Sequence, residues 1–248
     1  VAQRFTVKML RLYHLLLGCI LLVLIPLGAK FVLPHFFTSK VTQHSGLATR
    51  TSTSEGNIWK KILGNAAAPT SWQVAACAGN APLLCVSSKE EILGTVEIKV
   101  YLLVDNQDFQ KKLVAAGIPP GSQADYQSPK YQTQVVTALK AWVANYYTVL
   151  LKDRQTRFGK QIVFSVYPPQ LVPVSNLQGI RYGFTGLTQQ GRVQEQHIDH
   201  VAFDGTKLYV ITTAFDSGSQ TGKFEKLENL AVFQPYLYAI AADLRLPQ

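Results

Sequence analysis

In the segment VQEQHIDHVAF, residues 193–203, Glu195, His197 and Asp199 are spaced by two. On an extended strand such residues project from one face. Two carboxylates beside an imidazole could hold a borderline cation, Zn²⁺ or Mn²⁺, weakly. His200 points to the other side or to a bulge. The plainer reading is a solvated strand face alternating with Val193, Ile198 and Val201. It is preferred, because polar residues at period two are ordinary on a half-exposed strand.

Two other groups of residues could act chemically. Cys77 and Cys85 flank a turn marked by Gly79, Asn80 and Pro82. Two strands joined there could bring the sulfurs together as a disulfide in an oxidising compartment. Two buried thiols are nearly as good a reading. Lys152, Arg154, Arg157 and Lys160 crowd the end of an amphipathic stretch. Cations are favoured at a helix C-terminus in any case; the sharper reading is a docking patch for an acidic partner. No nucleophile elbow, phosphate loop, dinucleotide fingerprint or HExxH zinc helix is present, so nothing argues for an enzyme.

The bulk numbers set the frame. The chain has 248 residues, 47% hydrophobic and 10% aromatic, enough for one domain with a real core. Net charge is +9; without Arg4, Lys8, Arg11 and Lys30, 20 cations face 15 acids, leaving +5. That excess suits acidic proteins or anionic lipid. It lacks the basic stripe with interleaved aromatics that nucleic acid requires.

From Leu12 to Ala29 the chain has no Asp, Glu, Lys or Arg. Such a run is long enough to cross a bilayer, which takes roughly 20 apolar residues, and Cys19 reads as buried within it. Arg4, Lys8 and Arg11 precede it, placing the N-terminus in the cytoplasm and the domain in the periplasm or thylakoid lumen. A cleaved signal peptide is the competing reading. The expected plan is a tail at 1–11, a transmembrane anchor at 12–33, a linker at 34–71 and an extracytoplasmic domain at 72–248. Trp59, Ile62 and Leu63 in the linker could form an amphipathic turn on the domain or the membrane.

The elements that must position these residues follow from periodicity. Residues 71–77 and 82–88 read as short strands, and 92–104 as a longer one. A helix capped by Asp105 ends at Gly117. A long helix covers about 129–152, with Val135, Leu139, Trp142, Val143, Tyr146 and Leu150 on one face. Residues 160–170 read as one strand. A meander follows, with hairpin turns at Gln190–Gly191 and Asp204–Gly205. A last helix starts near Lys223 and is broken by Pro235. The fold expected is α+β: a mostly antiparallel sheet with helices on both faces, an α/β/α sandwich.

The meander RYGFTGLTQQGRVQEQHIDHVAFDGTKLYVITTAFD, followed by a helix, resembles the closing part of the PsbP family, the extrinsic photosystem II subunit and its relatives. His197 falls where the family's strand carries its histidine, and Lys207, Leu208 and Tyr209 match a Lys-Leu-Tyr strand. The anchor and the long central helix depart from the family's pattern. The resemblance implies a PsbP-like α/β/α sandwich and a non-enzymatic accessory or assembly role at a photosynthetic membrane complex. The partners implied are photosystem subunits in the thylakoid lumen. Two alternatives remain: a bitopic scaffold subunit of a secretion or conjugation machine, similar to nuclear-transport-factor-two-like subunits, and an unrecognised envelope enzyme.

Overall fold

Alternating apolar and polar residues and tight turns build the centre of this chain into one antiparallel sheet. The computed structural model describes residues 56–118 and 128–247. In chain order the elements begin with a short helix α1 (Trp59–Ile62) and the strands β1 (Trp72–Ala76), β2 (Leu83–Ser88) and β3 (Glu91–Leu102). Helices α2 (Gln107–Ala115) and α3 (Pro129–Phe158) come next, then β4 (Ile162–Val166), β5 (Gln170–Val174), β6 (Leu177–Thr188), β7 (Val193–Phe203) and β8 (Lys207–Phe215). Helix α4 (Leu227–Ala242) ends the fold. The sheet order is β1-β2-β3-β8-β7-β6-β4, with β5 also pairing β6, and every pairing is antiparallel. The expected tail, the 12–33 anchor with Cys19, and linker residues 34–55 lie outside the described residues. Among the described residues, no helix is long and apolar enough to cross a membrane.

Strand alternation sorts the core into two layers. Phe109, Leu139 and Val143 from α2 and α3 pack with Tyr182, Val201, Phe203, Leu208 and Val210 on one face. Trp59, Phe233, Leu237 and Ile240 from α1 and α4 pack with Leu84, Val96, Ile98, Tyr209 and Ile211 on the other. Neighbours such as Tyr209 and Val210 thus serve opposite layers, as a two-residue period demands. Gly94 lies under the Phe224 ring, whose atoms would stand 2.4 Å from an added Cβ, so only glycine admits the ring there.

Several boundaries differ from expectation. The domain starts before residue 72. Trp59 and Ile62 are buried, the Trp59 indole donates to the Pro82 carbonyl at 3.0 Å, and the Asn57 amide donates to the Cys77 and Leu83 carbonyls. The turn expected on a surface is therefore a core element: its apolar side faces the sheet while Lys60 and Lys61 stay exposed. Asn106, not Asp105, caps α2, its side chain accepting from the Phe109 N–H at 3.0 Å. Helix α3 runs on to Phe158, because nothing in residues 153–158 breaks a helix before Gly159 at φ 56°. Helix α4 begins at Leu227 and passes Pro235 intact. Ala231, whose carbonyl loses its partner, is exposed, so water can satisfy it. The single strand expected over 160–170 ends at Val166; Pro168 and Pro169, which lack N–H donors, separate it from β5.

Candidate functional site

Glu195, His197 and Asp199 share one face of β7, as their spacing predicts, but that face is not solvated. The three are 2%, 9% and 3% exposed. Strand β7 lies between β8 and β6, and α3 crosses its polar face. Burying such groups is costly unless each is paired, so the partners decide what the cluster is.

The partners come from α3 and from the end of β8. Arg154 reaches down from the last turns of α3. Its Nε lies 2.9 Å from Glu195 Oε1, its Nη2 lies 2.8 Å from Oε2, and its Nη1 donates to Asp153 Oδ2 at 2.8 Å. Such a forked contact is the strong form of an arginine–carboxylate pair. His197 Nε2 is 3.3 Å from Glu195 Oε2 and 3.2 Å from Asp216 Oδ2. The imidazole stacks on Phe184 with centroids 4.4 Å apart. Asp216 also accepts from the Gly218 N–H at 2.7 Å and the Ser219 hydroxyl at 3.0 Å. Two turns earlier, the Tyr147 hydroxyl accepts from the Gly183 N–H at 2.9 Å and donates to the Tyr167 carbonyl at 2.8 Å. Gly183 sits at φ 154°, where a Cβ would come 2.1 Å from the His197 carbonyl oxygen, so it must be glycine. Tyr147 and Arg154 therefore tie one helix to one sheet face.

The charges balance within this group. Burial pushes the His197 pKa down, but the bonds to Asp216 and Glu195 and the nearby carboxylates outweigh it and hold it at about 9, so the ring is protonated at neutral pH. Burial raises the Asp216 carboxyl, and the His197, Gly218 and Ser219 bonds overcome that and keep it well below the usual carboxylate range. Arg154 and His197 thus neutralise Glu195 and Asp216.

One carboxylate of the sequence triad stands apart from this group. Ligand atoms of Glu195, His197 and Asp216, not Asp199, lie within 4.8 Å of one another. Asp199 sits further along β7, opposite Thr212 and Tyr182. Burial raises its carboxyl to about 6 despite His197, a Thr212 bond and Lys99, and its Oδ2 has no hydrogen-bond partner. For Zn²⁺ or Mn²⁺ the fit is poor. An ion at Glu195, His197 and Asp216 would need the imidazole deprotonated and would have to displace the guanidinium already on Glu195. The donors are arranged as an ion-pair network.

The basic cluster divides in two. Arg154 points inward, 12% exposed, and belongs to the network. Lys152, Arg157 and Lys160 remain on the surface, with Arg157 paired to Asp153 at 3.3 Å. Residues 152–192 hold six cations and one acid; beyond Lys30 the rest of the chain balances at fourteen of each. Of these six cations, Lys152, Arg157, Lys160 and Arg192 are exposed around the end of α3 and the β6–β7 turn, while Arg154 is paired with Glu195 and Arg181 stacks over Tyr238 on the opposite layer. Cys77 and Cys85 are joined, with S–S 1.99 Å and Cα atoms 5.0 Å apart.

Asp216 was missed in the sequence, though a signal existed. The Asp204–Gly205 turn sets the β7–β8 register that pairs His197 with Ala214, and two further residues place Asp216 opposite Glu195.

No family model and no curated protein sequence matches this chain. Among solved structures it has a weak resemblance to the solution structure of cyanobacterial PsbP (CyanoP) from Synechocystis sp. PCC 6803. Identity is 7% and TM-score 0.36, over 73% of this chain and 84% of that chain. At that score nothing about site or activity carries over from one protein to the other.

Proposed function

We propose that this protein acts by docking rather than by catalysis, as a membrane-anchored, non-enzymatic accessory or assembly protein that seats its domain on an acidic face of a membrane complex. The observation that carries the reading is the exposed cluster Lys152, Arg157 and Lys160, within the stretch 152–192 that accounts for the +5 remaining beyond Lys30. Such a field steers and orients an acidic partner. The buried network beneath it fixes the helix that presents those cations. The finer reading rests on the PsbP-like meander sequence: a photosynthetic membrane complex, with the domain in the thylakoid lumen or periplasm.

The test is affinity purification of a C-terminally tagged chain from gently solubilised membranes of its native organism, beside the triple variant Lys152→Glu, Arg157→Glu, Lys160→Glu. Photosystem subunits should co-purify with the unaltered chain and be lost from the variant. An acidic partner from an envelope machine instead would keep the docking mode and discard the photosynthetic setting. Equal recovery with both chains would refute docking through this surface.

A further inference from the structure

The basic surface borders an unprotected sheet edge. Strand β4 pairs only with β6, and among the described residues no strand lies on its other side. The Tyr167 N–H bonds to the Gly183 carbonyl at 2.8 Å, in line with the β4–β6 register. Inward and outward backbone groups alternate along an antiparallel ladder. The N–H and C=O of Ile162, Phe164 and Val166 therefore point away from β6. Natural sheets commonly guard such edges with proline, charge or a covering element. Its collinear neighbour β5 carries Pro173, with Pro168 and Pro169 just before it, whereas β4 has neither proline nor charge. At the opposite edge, α1 lies against β1. Val163 and Val166 of β4 are 61% and 37% exposed.

A cation, Lys160, lies at one end of this edge. Lys160 precedes β4, its carbonyl held by the Gln189 side chain at 3.4 Å. Arg192 opposes Thr188 across the β6–β7 turn, so it lies in line with β7 and β6 separates it from β4. Among the described residues Lys160 is in no ion pair and is exposed, so it can meet an incoming anion.

We infer that β4 accepts an extended acidic segment of a partner protein as an added antiparallel strand, its backbone bonding to Ile162, Phe164 and Val166 and a carboxylate meeting Lys160. This rests on the docking reading and specifies how the partner is held. Main-chain bonds supply affinity in strand addition, and side chains supply selectivity. A second copy of this chain is disfavoured as occupant, because residues 159–170 carry no acid and antiparallel pairing through β4 would set no carboxylate against Lys160.

The experiment uses the full chain in detergent and a blocked ten-residue peptide alternating Glu and Val. Its controls are the Lys–Val counterpart and the Glu–Val peptide N-methylated at alternate residues. Binding is read by fluorescence anisotropy, and backbone protection by hydrogen exchange. The Glu–Val peptide should bind, protect the amides of Ile162, Phe164 and Val166, and weaken as salt is raised. N-methylation of the peptide, or Val166→Pro, should weaken binding at least about tenfold. Val166→Pro removes an outward donor and leaves the inward Tyr167 bond in place.

Tight binding of the N-methylated peptide, or binding without protection of β4, would overturn strand addition. So would a concentration-dependent dimer that excludes the peptide. If native partners are lost with the Lys152/Arg157/Lys160 variant yet retained by Val166→Pro, docking stands and strand addition fails. Loss with neither variant removes both.

Discussion

His197 and His200 sit on one strand, three residues apart and both buried, yet one is protonated at neutral pH and the other is not. His197 faces Glu195 and Asp216, with Asp199 further along, and its pKa stands at about 9. His200 faces the opposite layer, edge-on to Tyr238 with centroids 5.6 Å apart. Burial first, and then the Arg181 guanidinium stacked 4.2 Å over the same Tyr238 ring, push it down to about 3. Burial lowers both imidazoles, so it cannot explain the difference; the sign of the neighbouring charge does. The two faces of β7 thus solve one problem in two ways: one admits a charge and pairs it, the other keeps the group neutral.

This contrast fixes how stability responds to pH. The raised His197 contributes stability that is full below about 6.5, the ordinary imidazole value, and is lost as pH rises through about 9. The depressed His200 contributes stability present above about 6.5, lost as pH falls toward about 3 because the unfolded chain takes up the proton first. Asp216 adds stability that disappears below the ordinary carboxylate range. Asp199 works the other way: its raised pKa costs stability as pH rises from the carboxylate range through about 6. The maximum should lie near about pH 6.5, where the gain from His200 is complete and the loss from His197 begins.

The largest expected effect breaks the charged face. Arg154→Ala strips Glu195, 3% exposed, of its forked partner and leaves it only the His197 ring, which it shares with Asp216. Removing one partner of a buried pair costs about 3–5 kcal/mol, to be read from urea unfolding at pH 7. Arg154→Ala combined with Glu195→Gln should recover part of that loss, since no ionised group is then stranded at residue 195. A double variant as unstable as the single one would mean that Arg154 acts through packing alone.

A smaller change isolates the histidine on that face. His197→Gln keeps a hydrogen-bond donor and removes the charge shared between Glu195 and Asp216. Charged hydrogen bonds contribute about 1.5–3 kcal/mol, so the variant should lose roughly that amount at pH 7. Its stability should no longer decline between about pH 6.5 and 9. Persistence of the alkaline decline would assign it to another group.

How far the sequence reaches is visible at these same positions. Alternation placed Glu195, His197 and Asp199 on one face and His200 on the other, because a two-residue period follows from local backbone geometry. It could not show that α3 would cover that face, since covering is a matter of tertiary packing. The preferred solvated reading failed for that reason. Arg154 was grouped with Lys152, Arg157 and Lys160 by adjacency, but only a helix continued beyond residue 152 turns it inward. Mixed helix and antiparallel sheet were legible from turns and periodicity. The place of Trp59 in the core was not, because a four-residue helix inside a polar stretch gives no periodic signal.

The smallest effect tests the neutral face. His200 Nδ1 has no hydrogen-bond partner, and the residue is 1% exposed beneath the last helix. His200→Phe keeps an aromatic ring against Tyr238 and removes a buried unsatisfied nitrogen, which ordinarily costs about 1–3 kcal/mol. The larger ring must be fitted into a packed core, and overpacking costs a similar amount. The two should nearly cancel at pH 7, leaving stability within about 1 kcal/mol of the unaltered chain. The informative change is at acid pH. Without the proton uptake that His200 gives the unfolded chain, stability should fall less steeply between about pH 6.5 and 4, and Asp199 could even make it rise there. An unchanged acid slope would place the responsible group elsewhere and break the contrast between the two histidines at its neutral half, while leaving the charged half intact.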